Sequence, residues 1–172
     1  MWQFETVLEN FDDSNLWGGH VMVEGDIAEE IKTQKIKRLL CTVNEKEQFH
    51  CALHSTGKGT YFVMVNKSLQ KKLHATVGSK LFIQLEEDKS KYGMPMPEEM
   101  AEIIAQDSDV DRIFHSLTPG KQRSLLYQIG LPKTTESRIK KAVLITRYLV
   151  EVNGELDFRE MNEYIKTNNK LF

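Results

Sequence analysis

Apolar and polar positions alternate along the first half of the chain with the two-residue period of half-buried β-strands. The runs that follow this pattern predict strands at 4–9, 20–24, 36–43, 48–54, 60–65 and 80–86. A break at 67–74, with Leu69 and Leu73 four residues apart, predicts one or two turns of helix. Six short strands in so short a stretch predict a small closed or half-closed β-barrel.

Two turns connect predicted strands. Asn44-Glu45 lies between two strand-like runs, and Asn tolerates the positive φ of a tight hairpin turn. The run 55–60, Ser-Thr-Gly-Lys-Gly-Thr, superficially resembles a phosphate-binding loop, but it lacks the first glycine at the required position and a Ser or Thr directly after Lys58. A phosphate loop must also open a helix, whereas this run joins two strands. We therefore interpret it as a hairpin turn.

The period changes after Pro97, where apolar residues recur every three to four positions as in α-helices. Pro97 is expected in the first turn of the first of these helices. Thr118 and Pro119 predict the N-cap and first residue of a third helix, and Thr134 or Thr135 caps a fourth. The predicted core-facing residues are Met100, Ile103, Ile104, Val110, Ile113, Phe114, Leu117, Leu125, Leu126, Ile129, Ile139, Ala142, Val143, Leu149, Val150, Phe158, Met161 and Ile165.

The change of period divides the chain. Residues 89–97 contain Gly-Met-Pro-Met-Pro, and proline lacks a backbone donor and restricts the residue before it, which predicts an ordered linker. We expect a small β-barrel domain at 1–88 and an all-helical domain at 98–172. The predicted fold class is therefore α+β.

The composition is that of an ordinary globular protein. Of 172 residues, 40% are hydrophobic and 28% are charged, and the formal net charge is -2. This balance gives no overall attraction to nucleic acid or to an anionic membrane. Residues 1–5 lack the basic and apolar regions of a signal peptide, and no apolar run approaches the roughly 20 residues that span a bilayer. We therefore expect a cytoplasmic protein without a membrane span.

The cysteines and histidines form no recognisable catalytic or metal-binding pattern. Cys41 and Cys51 lie in predicted strands, where we expect buried thiols, with a disulfide left open if the strands pair in register. His50 and His54 would share one face of a strand, and a metal would need a third ligand such as Cys41 or His20. His115 has no acidic partner in the pattern. We expect no metal, no cofactor and no catalytic residues.

The charge is unevenly distributed along the helical half. Between residues 119 and 148 there are seven basic residues and one acid, Glu136, for a net charge of +6. The basic residues are Lys121, Arg123, Lys133, Arg138, Lys140, Lys141 and Arg147. Such asymmetry can mark an anion-binding face, and a helix N-terminus adds attraction for phosphate or carboxylate. The alternative is a solvated outer face that pairs with the acidic remainder.

The candidate anion- or partner-binding residues are therefore Lys133, Arg138, Lys141 and Arg123. Arg138 and Lys141 are three residues apart on one side of the fourth predicted helix, close to its N-terminus. Aromatic residues are sparse here, which disfavours a stacking platform for single-stranded nucleic acid.

The first half resembles small β-barrel domains of unknown function whose fold is similar to the double-split barrel of AbrB-like proteins. The segments that carry this resemblance are Val43-Asn44-Glu45, Gly57-Lys58-Gly59-Thr60-Tyr61, Asn66-Lys67-Ser68-Leu69, Val77-Gly78-Ser79-Lys80-Leu81 and Leu85-Glu86-Glu87-Asp88. AbrB-type barrels bind DNA as intertwined dimers with basic loops. Residues 1–88 carry a net charge of −3, so we do not carry DNA binding over.

The second half resembles the bacteriocin-protection family, also called YdeI or OmpD-associated. The segments that carry this resemblance are Met96-Pro97-Glu98-Glu99, Phe114-His115-Ser116-Leu117-Thr118-Pro119, Tyr127-Gln128-Ile129 and 134–141. The family's helix start usually runs Thr-Arg-x-Arg-Arg-Ile, and of its three arginines this sequence keeps Arg138 alone.

The resemblance implies no established enzymatic activity and at most a link to envelope or antimicrobial-peptide stress. We predict a bacterial interaction or stress-associated protein that is not an enzyme. We expect a protein partner or a small anionic ligand, with the chain as a monomer or homodimer. A nucleic-acid-binding module and an enzyme with a scattered site stay as alternatives.

Overall fold

The computed structural model describes residues 1–11 and 19–169. The chain divides into two compact units, an N-terminal unit that ends at Lys89 and a helical unit that begins at Ser90. The predicted α+β class is confirmed, with a curled antiparallel sheet followed by a helical region. The predicted domain limits and the linker at 89–97 stay predictions.

The N-terminal unit is a half-barrel sheet. Its strands are β1 (Trp2–Asn10), β2 (Gly19–Val23), β3 (Leu39–Val43), β4 (Glu47–Cys51), β5 (His54–Ser55), β6 (Tyr61–Val65) and β7 (Lys80–Glu87). They pair in the order β4-β3-β7-β1-β2-β6-β5, and all the pairs are antiparallel. The alternation of the sequence places one side chain of every two on the core face, as in Leu39, Cys41 and Val43 of β3.

In the part of this unit that the structure describes there are two helices, α1 (Gly25–Thr33) and α2 (Lys67–Leu73). The predicted short helix at 67–74 is confirmed as α2, which begins because the Asn66 side chain accepts a hydrogen bond from the N–H of Leu69 at 2.9 Å. The sequence pattern missed α1. Its Ala28 and Ile31 are buried in the sheet core.

Both predicted turns are confirmed. Asn44 and Glu45 have φ values of 51° and 56°, a left-handed pair in the three-residue connection between β3 and β4, where the Lys46 N–H donates to the Val43 carbonyl at 3.0 Å. The Asn44 side chain also accepts a hydrogen bond from the N–H of Phe82 at 2.9 Å. The loop that resembles a phosphate loop joins β5 to β6, and Thr56 donates its N–H to the Thr60 carbonyl at 3.0 Å.

The helical unit has its own core. Its helices are α3 (Glu98–Gln106), α4 (Ser108–Ser116), α5 (Pro119–Gly130), α6 (Thr135–Glu151) and α7 (Phe158–Asn168). Thr118 caps α5 and Thr134 caps α6, as the sequence predicts, because each hydroxyl accepts a hydrogen bond from a backbone N–H three residues on. Pro97 is the N-cap of α3 and lies just before its first turn.

Most of the predicted helical core is buried, with one error on α6. The prediction was wrong for Ile139 and Val150, which are 49% and 41% exposed. Their places are taken by Ile145 and Tyr148, which pack with Ala142 and Leu149. The buried stripe of this helix is therefore rotated relative to the predicted one.

Candidate functional site

The segment before α3, residues 90–97, packs against the helical core and is called the connector. Tyr92, Met94 and Met96 are partly buried against the side chains of that core, and Gly93 between them has a φ of 73°. This positive φ suits glycine, which has no Cβ to clash. The connector is therefore an ordered wall of the helical unit.

A cleft of about 540 Å³ opens between this connector, the start of α3, the end of α5 and the start of α6. It is lined by Met94, Pro95, Met96, Pro97, Glu98, Glu99, Leu126, Tyr127, Gly130, Leu131 and Arg138. The lining is mostly apolar with a few charged groups, which is the usual character of a ligand-binding site.

The end of α5 supplies the exposed apolar side of the cleft. Leu125, Leu126 and Ile129 point into the helical core, whereas Tyr127 and Leu131 are 58% and 56% exposed. Tyr127 and Leu131 are four residues apart and therefore lie on the same side of the helix. Large exposed hydrophobic residues at that spacing are typical of a binding surface rather than of a solvated face.

A charged pair lies at the base of the cleft. The Nε of Arg138, on α6, donates to Oε1 of Glu99, on α3, at 2.7 Å. The Glu99 side chain is only 7% exposed, and that of Arg138 is 27% exposed. The pKa of Glu99 is lowered, first by the hydrogen bond from its own backbone N–H and then by Arg138, while burial opposes both. Glu99 is therefore ionised at neutral pH, and the pair ties α3 to α6.

Arg138 makes three further contacts with the residues before and around the start of α6. Its Nη2 donates to the Thr135 hydroxyl at 3.1 Å, and its Nη1 lies 3.5 Å and 3.4 Å from the carbonyl oxygens of Pro132 and Lys133. The guanidinium thus fixes the loop between α5 and α6 and also lines the cleft.

The structure brings only part of the predicted site together. Arg138 lines the cleft, whereas Lys133, Lys141 and Arg123 do not. Lys133 is exposed and follows Leu131 by two residues. Arg123 lies one turn before Tyr127 on α5, and Lys141 lies almost one turn beyond Arg138 on α6. An anion-binding role for these four residues stays a prediction.

Glu99 and the apolar lining were missed as site residues from the sequence. Glu98 and Glu99 suit a helix N-terminus on charge alone, so the sequence gives no sign that one of them is buried. The missed signal was on α5, where Tyr127 and Leu131 fall outside the apolar stripe formed by its buried leucines.

A second polar cluster lies on α4 and the connector. The Nδ1 of His115 is 2.8 Å from Oδ1 of Asp111, and its Nε2 is 2.8 Å from the Tyr92 hydroxyl and 3.3 Å from Nζ of Lys91. The statement that His115 lacks an acidic partner was therefore wrong. Asp111 precedes it by four residues, a spacing that brings side chains together on a helix.

A third cluster surrounds Asp88 in the N-terminal unit. Its carboxylate is fully buried, with Nδ1 of His50 at 3.1 Å and Nε of Arg38 at 3.8 Å. The prediction that His50 and His54 share one strand was wrong, because β4 ends at Cys51 and His54 begins β5. The ring of His54 instead stacks on Phe62, with centroids 5.4 Å apart.

The two cysteines are free thiols that interact with each other. Cys41 lies opposite Phe49 and Cys51 lies opposite Leu39, so the two cysteines are two residues out of register. A hydrogen bond with Cys41 is the largest cause of a strongly raised pKa of the Cys51 thiol, and burial adds to it. Cys41 is buried, as predicted, whereas Cys51 is only partly buried.

His20 is a buried histidine beside an aromatic cluster. Its ring stacks on Phe11 with centroids 3.9 Å apart and meets Phe62 edge-on. Burial lowers its pKa, and Glu9 opposes this effect. Within residues 1–11 and 19–169, its Nδ1 has no hydrogen-bond partner. His20 is therefore held mainly by ring packing.

Residues 1–11 and 19–169 contain no group of three or more His, Cys, Asp or Glu side chains arranged to hold a metal ion. None of their helices is long and apolar enough to cross a membrane.

Comparison with known proteins finds one family match in each half of the chain. Residues 4–85 match the family described as a domain of unknown function, DUF1905. Residues 94–149 match the family described as bacteriocin-protection, YdeI or OmpD-associated. This second match contains every residue that lines the cleft. No curated protein and no solved structure matches the chain.

Proposed function

We propose that this protein binds a ligand or partner in the response to antimicrobial peptides or envelope stress. The proposal rests on the two family matches, DUF1905 in the first half and the bacteriocin-protection, YdeI or OmpD-associated family in the second. The protein's working surface is the cleft of the helical unit. It acts by holding a ligand or partner rather than by catalysing a reaction.

The observation that carries this proposal is the cleft itself. Its volume of about 540 Å³ suits one or two bulky apolar groups. Met94 and Met96 supply flexible, polarisable side chains that adapt to differently shaped apolar groups. The Tyr127 ring adds a rigid aromatic surface with a polar end.

The charged pair gives the cleft a fixed shape and one polar contact. Arg138 is already ion-paired with Glu99, so we expect it to offer a ligand a hydrogen-bond donor and not an unpaired positive charge. A ligand with a large apolar group and one anionic group satisfies both the lining and Arg138.

Gly130 is a position at which a larger side chain is expected to fill the cleft. A Cβ placed there meets only Cγ of Pro97, at 3.8 Å, which is an ordinary contact. Gly130→Leu is therefore expected to keep the fold and to occupy the cleft with its side chain. Gly120→Leu is the matched control, since a Cβ at Gly120 in the same helix meets nothing within 4 Å.

The probe for the experiment is 8-anilinonaphthalene-1-sulfonate, which joins aromatic rings to one anionic group. We expect saturable fluorescence enhancement with the native chain and with Gly120→Leu, and at least about tenfold weaker binding with Gly130→Leu, corresponding to about 1.4 kcal/mol. Circular dichroism checks that both variants keep their helices. Equal binding by the two leucine variants would place the dye elsewhere and refute the cleft as the site.

The stress role is tested in cells. A bacteriocin-sensitive strain that expresses the native chain or Gly120→Leu should survive bacteriocin treatment better than the same strain with an empty vector. Gly130→Leu should give no protection at equal protein level. Absence of protection by the native chain would refute the stress role.

A further inference from the structure

The exposed apolar stripe on α5 is bounded by positive charge at both ends. Arg123 lies one helical turn before Tyr127, and Leu131 lies one turn after it. Lys133 follows Leu131 by two residues and is exposed. At 1.5 Å per residue, the stripe from Arg123 to Leu131 is about 12 Å long.

Arg123 and Lys133, the basic residues at the two ends of the stripe, differ from Arg138 in their side-chain contacts. Among the described residues, the side chains of Arg123 and Lys133 make no ion pair or hydrogen bond, whereas Arg138 is bound to Glu99. Glu98 is exposed on the opposite wall of the cleft, at the start of α3. The exposed apolar stripe of α5, whose Tyr127 and Leu131 line the cleft, therefore lies between two unneutralised cations that stand just outside the cleft lining.

We propose that the occupant of the cleft is an acidic amphipathic segment of a partner protein. Two of its apolar side chains, about one helical turn apart, pack on Tyr127 and Leu131. Carboxylates on either side of them face Arg123 and Lys133. This inference rests on the proposed function of the cleft and adds the chemistry of its occupant.

Charge complementarity decides between the two kinds of amphipathic segment. A cationic segment would place its ammonium groups beside Arg123 and Lys133, where like charges repel. An acidic segment gains attraction at both ends of the stripe, and its apolar face fits a groove as amphipathic helices do. A cationic antimicrobial peptide is thus the wrong ligand for this surface, and protection runs through a partner protein.

The test uses two synthetic helical peptides of about 14 residues. One is built from Leu and Glu with apolar residues at helical spacing, and the other has Lys in place of each Glu. Isothermal titration with the full chain at low salt is expected to show binding of the acidic peptide and at least tenfold weaker binding of the basic one. Binding of the acidic peptide should weaken as salt is raised.

Charge-reversal variants locate the contact. The double variant Arg123→Glu and Lys133→Glu should weaken the acidic peptide at least tenfold and strengthen the basic peptide. Lys58→Glu, at the exposed β5–β6 turn, is the control for a simple change of net charge and should leave both affinities within about twofold. The three substituted side chains lie outside the hydrophobic cores, so folding is retained.

The outcomes separate this inference from the proposed function. If the dye binds in the cleft but the acidic and basic peptides bind with equal affinity, the proposal of an acidic occupant is wrong. The proposed binding function of the cleft is then unaffected. Unchanged acidic-peptide affinity in the double variant has the same consequence. Loss of cleft-specific dye binding overturns both.

Discussion

Glu99 stands in the first turn of α3, and its carboxylate binds an arginine 39 residues further along the chain. Burial of a carboxylate without a partner is costly, so Arg138 and the backbone N–H are what make this position tolerable. The same pair shapes the base of the cleft. Stability and site geometry therefore depend on one side chain.

Glu99→Gln should lower the free energy of unfolding by about 1–2 kcal/mol at pH 7, because it removes the charged partner of Arg138. The pKa of Glu99 is lowered from its ordinary value of 4.5, so its contribution is complete above that pH and is lost as the pH falls below it. Urea denaturation at several pH values measures the difference. Glu98→Gln, on the exposed neighbour, should change little, and a pH-independent difference would contradict the prediction.

Asp88 offers a second test at the residue scale. Its carboxylate is fully buried, and its replacement removes the negative charge that the partly exposed side chains of His50 and Arg38 both contact. Asp88→Asn should therefore lower the free energy of unfolding by about 2–3 kcal/mol. Glu86→Gln, at an exposed position near the end of β7, should stay within about 0.5 kcal/mol. Similar melting curves for the two variants would contradict this assignment.

The role of a residue could be predicted where its hydrogen-bond partner is close in the sequence. It could not be predicted where the partner lies on another helix or strand. Asn66, Thr118 and Thr134 were predictable as helix starts because each caps a backbone N–H three residues away. The partners of Glu99 and Asp88 come from other elements, and no spacing rule connects them.

At the scale of elements, the β3–β4 hairpin concentrates strain in two residues. Asn44 and Glu45 both adopt positive φ, which Asn tolerates and Glu does not. Glu45→Gly should raise the melting temperature, with a gain of about 0.5–1 kcal/mol.

The matched change at the neighbouring position has a different expected result. Asn44→Gly also relieves positive φ, but it removes the hydrogen bond that the Asn44 side chain accepts from Phe82. It should therefore give no gain. Thermal denaturation followed by circular dichroism compares the two variants, and a lower melting temperature for Glu45→Gly would contradict the argument.

Elements with a strong local pattern were predictable, and those with a weak one were not. The two-residue alternation of apolar and polar residues predicted most strands of the sheet, because one face of each strand is buried. Helix α1 was missed because only Ala28 and Ile31 are fully buried in its nine residues. On α6, Ile139 and Val150 fit an apolar stripe but lie outside the buried one, because apolar residues occur on more than one side of that helix.

The cleft could not be predicted as a site from the sequence. Its walls come from the connector at 94–97, the end of α5 and Arg138 of α6, which no sequence period relates. The basic segment did point to Arg138, but by its charge rather than by its place in a cavity. The apolar half of the site required the packing of the helical unit.

At the scale of the whole molecule, two hydrophobic cores form within separate stretches of the chain. Each stretch is of a size that can fold alone. We expect residues 90–172 to fold into the helical unit when produced without the first 89 residues, and its helical circular dichroism and cooperative melting test this.

A shorter piece tests where that unit begins. Residues 98–172 lack Tyr92, Met94 and Met96, which pack on the helical core. This piece should be less stable than 90–172 by at least about 2 kcal/mol, because it exposes the apolar area that these side chains cover. Equal stability of the two pieces would show that the connector is a linker outside the unit.

Because Cys41 is buried and the pKa of the Cys51 thiol is strongly raised, we expect the native chain to react slowly with maleimides, which react with the thiolate. A fluorophore can therefore be attached through Tyr127→Cys at the cleft with Cys41 and Cys51 left in place. The native chain should take up less than about a tenth of the label that Tyr127→Cys takes up at neutral pH, measured by mass spectrometry. A chain tagged in this way signals directly, by its own emission, when something enters the cleft.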